Sequence, residues 1–299
     1  MNVMTGAVAA ACAFCGARMI WSARSGMPKE GLPRVLTFHK IASFETGGTW
    51  IAPGRFERYI DDLLDAGWRF VGEGEFIDSI RGDRTGADRE VLLTFDDGYE
   101  SFARLAAPVL RARSLPALVF LVTGSAGSWN DWEIPLPGRR ARHMDWETVR
   151  SLRAEGFDFG SHTESHRALT RLGEEEAARE LAVSKSRIED ETGRRVRSVS
   201  YPFGKVDPAA ARLASRAGYE AGFTLYPPGR VPADCREYMI RREGVWVIDS
   251  SWTISKKLSR GGLFWLEDLK GRSINSLAGL VPMRRKAAGR DHDSGNSMV

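Results

Sequence analysis

Cysteine is nearly absent from this chain of 299 residues: only Cys12, Cys15 and Cys235 occur, so no multi-bridge disulfide framework holds the fold and a hydrophobic core must. Cys12 and Cys15 form a C-x-x-C, but they sit in the apolar stretch Gly6–Ile20 with no βαβ pattern around them, so neither a redox nor a zinc role is read from them. An uninterrupted run of the ~20 apolar residues that spans a bilayer is also missing, because Arg18 breaks that stretch and no basic residue precedes it. Residues 1–30 are therefore read as an export signal or short membrane anchor, with an ordinary helix on the domain as the alternative. No fixed-period repeat and no long low-complexity tract occurs, which excludes a solenoid and confines disorder to the ends, residues 291–299 among them. The formal net charge is only +4, too small to argue for nucleic acid as a partner. Its distribution is uneven, since Lys256 to Arg290 holds nine basic and two acidic residues. This basic amphipathic appendage, residues 251–290, is expected either to meet an anionic surface, giving peripheral membrane contact, or to present a solvated face.

Strands and helices alternate through the rest. Val35-Leu-Thr-Phe-His39 is apolar and β-prone after Pro33, which predicts a buried strand with His39 at its C-terminal end. Phe56, Ile60, Leu63 and Leu64 recur at helical spacing and Gly67 ends the pattern. Trp68–Val71, Val91–Phe95, Ala117–Val122, Phe157–Gly160, Val196–Tyr201 and Ala221–Leu225 read as further strands. Helices are expected over Phe102–Arg113, from Asp145 as N-cap, over Glu174–Asp190 and over Ala209–Arg216. Such alternation predicts a largely parallel α/β sheet or barrel, with active residues where the strands end. His39, Asp96, Asp97, His162 and Phe203 each fall at or just after such an end.

Asp96-Asp97-Gly98 sets two carboxylates side by side at a strand end, where one can hold a metal while its neighbour points elsewhere. Taken alone, the tripeptide is equally a turn stabilised by Asp side chains, or a Mg²⁺ pocket of the phosphotransfer type. His162 and His166 lie four apart, a spacing that brings two imidazoles to one side of a helical turn, and Asp with two His is a ligand set that leaves a position open for water. Trp129 and Trp132 fall in the long loop 124–142, where exposed indoles stack on sugar rings or plug the barrel. Trp146 lines a groove or joins the core.

Thr94-Phe-Asp-Asp-Gly-Tyr99 and His162-Thr-Glu-Ser-His166 resemble the first two motifs of the polysaccharide deacetylases, the NodB-homology family or carbohydrate esterase family 4, and Ser200-Tyr-Pro-Phe-Gly204 resembles the third motif as it stands in the poly-N-acetylglucosamine de-N-acetylases. The resemblance spans about residues 34–226. It implies a deformed (β/α) barrel, here over residues 34–250, with N- and C-terminal helical appendages. Asp97, His162 and His166 would hold a divalent metal, usually Zn²⁺, Asp96 would be the base, and the Phe203 backbone N–H would help hold the oxyanion.

Two departures stand out. No Leu-x-His occurs near the C-terminus; Leu36-Thr-Phe-His39 stands instead where the circularly permuted biofilm deacetylases carry their acid, so His39 is taken as general acid, a task suited by a pKa near neutrality. Ser200 stands where many relatives have an arginine beside the base, which leaves open what orients Asp96. The implied activity is hydrolysis of linear amides, removing acetyl groups from an N-acetylated glycan. Alternatives are an O-acetyl or lipid-linked sugar substrate, or a catalytically silent glycan-binding relative. Such a substrate favours the cell envelope, with the cytoplasm left open.

Overall fold

The computed structural model describes residues 32–45, 48–132, 140–227, 231–259, 266 and 268–273. The apolar segment 1–30, with Cys12 and Cys15, and the tail beyond 273 lie outside them. Seven strands close into a parallel barrel: β1 (Arg34–Phe38), β5 (Glu90–Phe95), β6 (Leu118–Leu121), β7 (Asp158–Ser161), β8 (Ser198–Ser200), β9 (Ala221–Leu225) and β10 (Ile240–Gly244). β1 closes the ring by pairing with β10 on one side and β5 on the other. A short β4 (Arg69–Phe70) pairs beside the start of β5, and β2 (Lys40–Ile41) with β3 (Trp50–Ile51) forms a small parallel pair.

The helices follow their sequence signals. α1 (Pro53–Asp65) starts on a proline and buries Phe56, Tyr59, Ile60 and Leu63, but Leu64 falls just off that face and is exposed. α2 (Glu73–Arg81) ends on left-handed Gly82. Phe102–Ala106 is a π-helical turn leading into α3 (Ala107–Ala112); Pro108 has no N–H to give the preceding turn, which widens there. α4 (Trp146–Ala154) has the expected Asp145 cap, accepting from Thr148 N. α5 (Glu174–Thr192) stops at left-handed Gly193, and α6 (Pro208–Arg216) is capped by Asp207. Among the described residues no helix is long and apolar enough to cross a membrane.

Side chains alternate along each strand, and here the alternation builds layers. Outward residues such as Leu36, Phe38, Val91, Leu93, Phe95 and Val119 join the cluster beneath the helices, where each fully buried one contributes about 1.5–3 kcal/mol. Inward residues begin as an apolar floor of Val35, Leu92, Leu118, Phe120, Phe223 and Ile240. Gly160 makes room for it, since a Cβ there would stand 2.6 Å from the Phe120 ring. Two residues further along, the inward positions turn polar: Thr37, Thr94, Ser200 and Arg242. Two more bring His39 and Asp96 to the rim. The rim that carries His39 and Asp96 is thus the third step of one period-2 pattern.

The appendage packs onto this barrel as far as it is described. α7 (Ser251–Ser259) buries Lys257, whose ammonium donates to Gly244 O and meets the Asp249 carboxylate, both residues fully buried. Lys270 reaches the same carboxylate at 2.8 Å, and Asp268 pairs with Arg241 of β10. Lys257→Ala strands part of a buried carboxylate, which typically costs about 3–5 kcal/mol, with Lys270 holding the loss to the lower end. A shift in the urea midpoint will report it; a change within roughly 0.5 kcal/mol, as for a surface residue, would show that the pair is not the lock that fixes α7.

Candidate active site

Asp96 and Asp97 follow β5 and diverge. Asp96 N–H donates to Phe38 O of β1 at 2.9 Å, and its buried side chain lies over the barrel lumen. There it meets Arg242 in a two-pronged pair, Nη1 to Oδ1 at 2.8 Å and Nη2 to Oδ2 at 2.7 Å. The guanidinium is fully buried; it donates further to Ser200 Oγ (2.8 Å), Thr37 Oγ1 (3.1 Å) and Thr94 Oγ1 (3.2 Å) and rests over the Phe120 ring. Burial would raise the Asp96 pKa, but the Arg242 charge, with His162 and the Arg242 hydrogen bonds, outweighs it and holds the carboxyl far below the usual range.

This arginine is the residue that sequence reasoning missed. It reaches Asp96 from β10 past the small Ser200, whose hydroxyl accepts one of its hydrogen bonds. The available signal was Ile240-Arg-Arg-Glu-Gly244 itself: an inward arginine two residues after an inward isoleucine.

Asp97, with φ 69°, turns away from Asp96 towards the two histidines. His162 Nε2 is 3.5 Å and His166 Nε2 3.3 Å from Asp97 Oδ1. His162 Nδ1–H donates to Ser200 O at 2.7 Å, which fixes the tautomer that points Nε2 at Asp97. The three buried residues offer ligand atoms within 4.8 Å of one another. Ligands about 2.0–2.1 Å from a tetrahedral zinc are separated by roughly 3.4 Å, so the observed separations fit a divalent cation. Burial lowers the pKa of His162, and that of His166 well below its ordinary value, so both imidazoles are in the neutral form a metal requires.

The histidine pair does not lie on a helical turn, as its spacing predicts. Residues 162–168 form an irregular turn in which Thr163 and His166 have φ of 67° and 58°. Its own hydroxyls hold it: Ser161 Oγ accepts from Thr163 N, and Thr163 Oγ1 from His166 N. Glu180, buried on α5, accepts from the N–H groups of Glu164 and Ser165, both at 2.9 Å, and from the Ser165 hydroxyl. Gly124 seals the other side, where a Cβ would come within 2.6 Å of Glu164 O. Of six non-glycine positive-φ residues among those described, Asp97, Thr163, His166 and Phe203 belong to this site, so backbone strain concentrates where function would use it.

The remaining residues surround this cluster. His39 Nε2 lies 3.9 Å from Asp96 Oδ2; burial lowers the His39 pKa to about 4 despite the raising effect of Asp96, so its resting ring is neutral rather than poised near pH 7. Phe203, with φ 59°, places its ring 4.7 Å from that of His166. Trp132 stacks on His166 with centroids 4.4 Å apart, and His143, 4.9 Å from Trp132, donates through Nδ1–H to Asp97 O. Trp129 is largely exposed. Trp146, half-buried under Arg187, packs against the core beneath the helices, as its core reading expects.

Comparison with known proteins agrees with this geometry. Residues 83–222 match the family model described as polysaccharide deacetylase. The Bacillus subtilis protein YxkH, whose name assigns it provisionally to the polysaccharide deacetylases, is 27% identical over 209 residues, which cover 70% of this chain and 69% of that one. The poly-β-1,6-N-acetyl-D-glucosamine N-deacetylase of Staphylococcus epidermidis is 26% identical over 162 residues, covering 52% of this chain and 54% of the relative, so the match spans about half of its length. The solved structure of IcaB from Ammonifex degensii shares the fold with a TM-score of 0.63 at 23% identity, over 77% of this chain and 98% of that one.

Proposed function

We propose, from the premise that this chain is a polysaccharide deacetylase of the circularly permuted type, that it is a metal-dependent hydrolase acting on the acetamide of N-acetylglucosamine-type residues in a glycan. The observation that carries this reading is the Asp97–His162–His166 cluster, whose separations suit a divalent cation, set beside a separately held, ionised Asp96. Zn²⁺ is the proposed metal, given one carboxylate and two imidazoles as donors. When bound, such an ion supplies a Lewis acid that acidifies water and polarises an acyl oxygen.

The chain's own residues would do the rest. Asp96 takes the proton of the attacking water, and Arg242 keeps that carboxylate charged and aimed. The Phe203 N–H donates to the acyl oxygen as negative charge develops there. His39 is neutral at rest, so the proton it gives to the leaving nitrogen must arrive during the reaction, and Asp96, 3.9 Å away, is the nearest source. A proton moving from Asp96 to His39 goes from the lower pKa to the higher. Trp132 and Phe203 offer faces for the sugar. A polymeric glycan substrate of this kind would suit a place at the cell envelope.

The test is release of acetate and free amine from N-acetylglucosamine oligomers with Zn²⁺ or Co²⁺ added and with chelator. Turnover should appear with metal and vanish with chelator, and His39→Gln should lower kcat by roughly 10²-fold or more while one metal still binds per chain. Failure to bind metal would sink the proposal. A tightly bound metal without acetate from these oligomers would redirect it to O-acetylated or lipid-linked sugars.

A further inference from the structure

Beside the catalytic rim lies a cavity of about 230 Å³, small against the several hundred Å³ of a pocket that swallows a whole ligand. Its walls carry Lys40, Arg104, Arg140 and Arg142 against two carboxylates, Glu45 and Glu100, an excess of two positive charges. Three rim segments supply them: the strand after His39, the turn and helix after Asp97, and the return arm that ends at His143.

The pairing state of the arginines is informative. Over much of the surface, arginines sit on carboxylates: Arg69 on Glu90, Arg113 on Asp61, Arg153 on Asp158, Arg197 on Glu220. Around this cavity, among the described residues, Arg104 and Arg140 enter no ion pair, and Arg142 donates only to Gly127 O at 3.2 Å. Lys40 is almost wholly buried, its ammonium 5.1 Å from the centre of the Tyr99 ring. Exposed arginines without partners add nothing to folding stability and concentrate positive potential in a concave, partly apolar wall, where it acts on an incoming charge.

The cavity also adjoins the reaction site. Tyr99 forms part of its wall, and the Tyr99 ring stacks at 4.8 Å on His143, which itself holds the Asp97 carbonyl. A glycan whose acetamide lies at Asp96 and Asp97 would bring a neighbouring unit to the adjoining rim segments, which carry Arg104 and Arg140.

We propose that this cavity is an anion subsite, and that the glycan deacetylated here carries an acidic substituent, a carboxylate or phosphate, on a unit next to the one that loses its acetyl group. This rests on the deacetylase reading above and names the substrate class within it. Guanidinium groups suit both oxyanions, which they bind through paired N–H donors.

Binding tests it independently of turnover. Calorimetry on the full chain would compare three oligomers of equal length: neutral N-acetylglucosamine, N-acetylglucosamine alternating with glucuronic acid, and N-acetylglucosamine bearing phosphate. At least one acidic oligomer should bind about three- to tenfold more tightly than the neutral one. That advantage should fall in 0.5 M NaCl, as for exposed charges, and in the double variant Arg104→Gln/Arg140→Gln. Which acidic oligomer wins distinguishes carboxylate from phosphate. Equal binding of all three, or an acidic preference indifferent to the double variant, overturns the inference. Acetate release, measured separately, reports on the deacetylase reading: none from any oligomer would sink that reading while Arg-dependent acidic binding still upheld the subsite.

Discussion

Asp96→Asn will lower kcat on N-acetylglucosamine oligomers by roughly 10²–10⁴-fold, the span of general-base contributions, and leave metal binding intact. The amide keeps the size of the carboxylate and one acceptor for Arg242, so the two-pronged pair is weakened rather than vacated. It cannot take a proton. The Asp97–His162–His166 cluster is held by separate supports, the His162 bond to Ser200 O and the Glu180 clasp on the 163–166 turn, so stoichiometric metal should survive. Metal titration and steady-state kinetics on the same preparation check both halves. Loss of metal together with activity would mean that the two aspartates do not have separable roles; retention of most activity would remove Asp96 from the chemistry. His162→Ala is the natural contrast, because it should lose the metal and the activity together.

Much of this was legible in the sequence because the strands are short, apolar and stopped by the residues that matter. Val91–Phe95 ends on Asp96 and Asp97, and the structure confirms β5 there. The N-cap at Asp145 and the glycine stop at Gly193 were readable from local chemistry alone. The histidine turn was misread for a physical reason. A spacing of four fits a helix, but Ser161, Thr163 and Ser165 carry hydroxyls that compete for backbone N–H groups, and the carboxylate that completes the turn, Glu180, lies on α5 more than a dozen residues away. No local pattern reveals that clasp.

β10 escaped notice for a different reason. Three of its five residues are charged, and charges seldom occupy a buried strand unless paired. Here every one is paired by a partner remote in sequence or on its own strand: Arg242 with Asp96, Arg241 with Glu243 and Asp268. The absent arginine at Ser200 was visible, but its replacement could be found only once the barrel had closed and set β10 against β1.

Arg242→Met is the sharper test of that replacement. Its expected effects are a stability loss of about 3–5 kcal/mol, the usual cost of stranding a buried charge, and an acid limb in the pH–activity profile that the parent lacks. The sign follows from linkage. Asp96 in the parent has a folded pKa depressed below its unfolded value, so its contribution to stability is present above the unfolded pKa, near 4, and is lost only as pH falls through the still lower folded value. The parent carboxylate is therefore ionised across the neutral range. Without Arg242, burial is no longer offset by the guanidinium, and the Asp96 pKa rises. In the variant the base is progressively protonated as pH falls, so kcat/KM should decline towards acid where the parent stays level, and recover at alkaline pH. Arg242→Lys should restore part of both losses, since an ammonium supplies the charge without the two-pronged fit. A merely structural arginine would show the stability loss with an unaltered pH profile, and that result would return the question of what keeps Asp96 charged to the Asp97–His162–His166 cluster beside it.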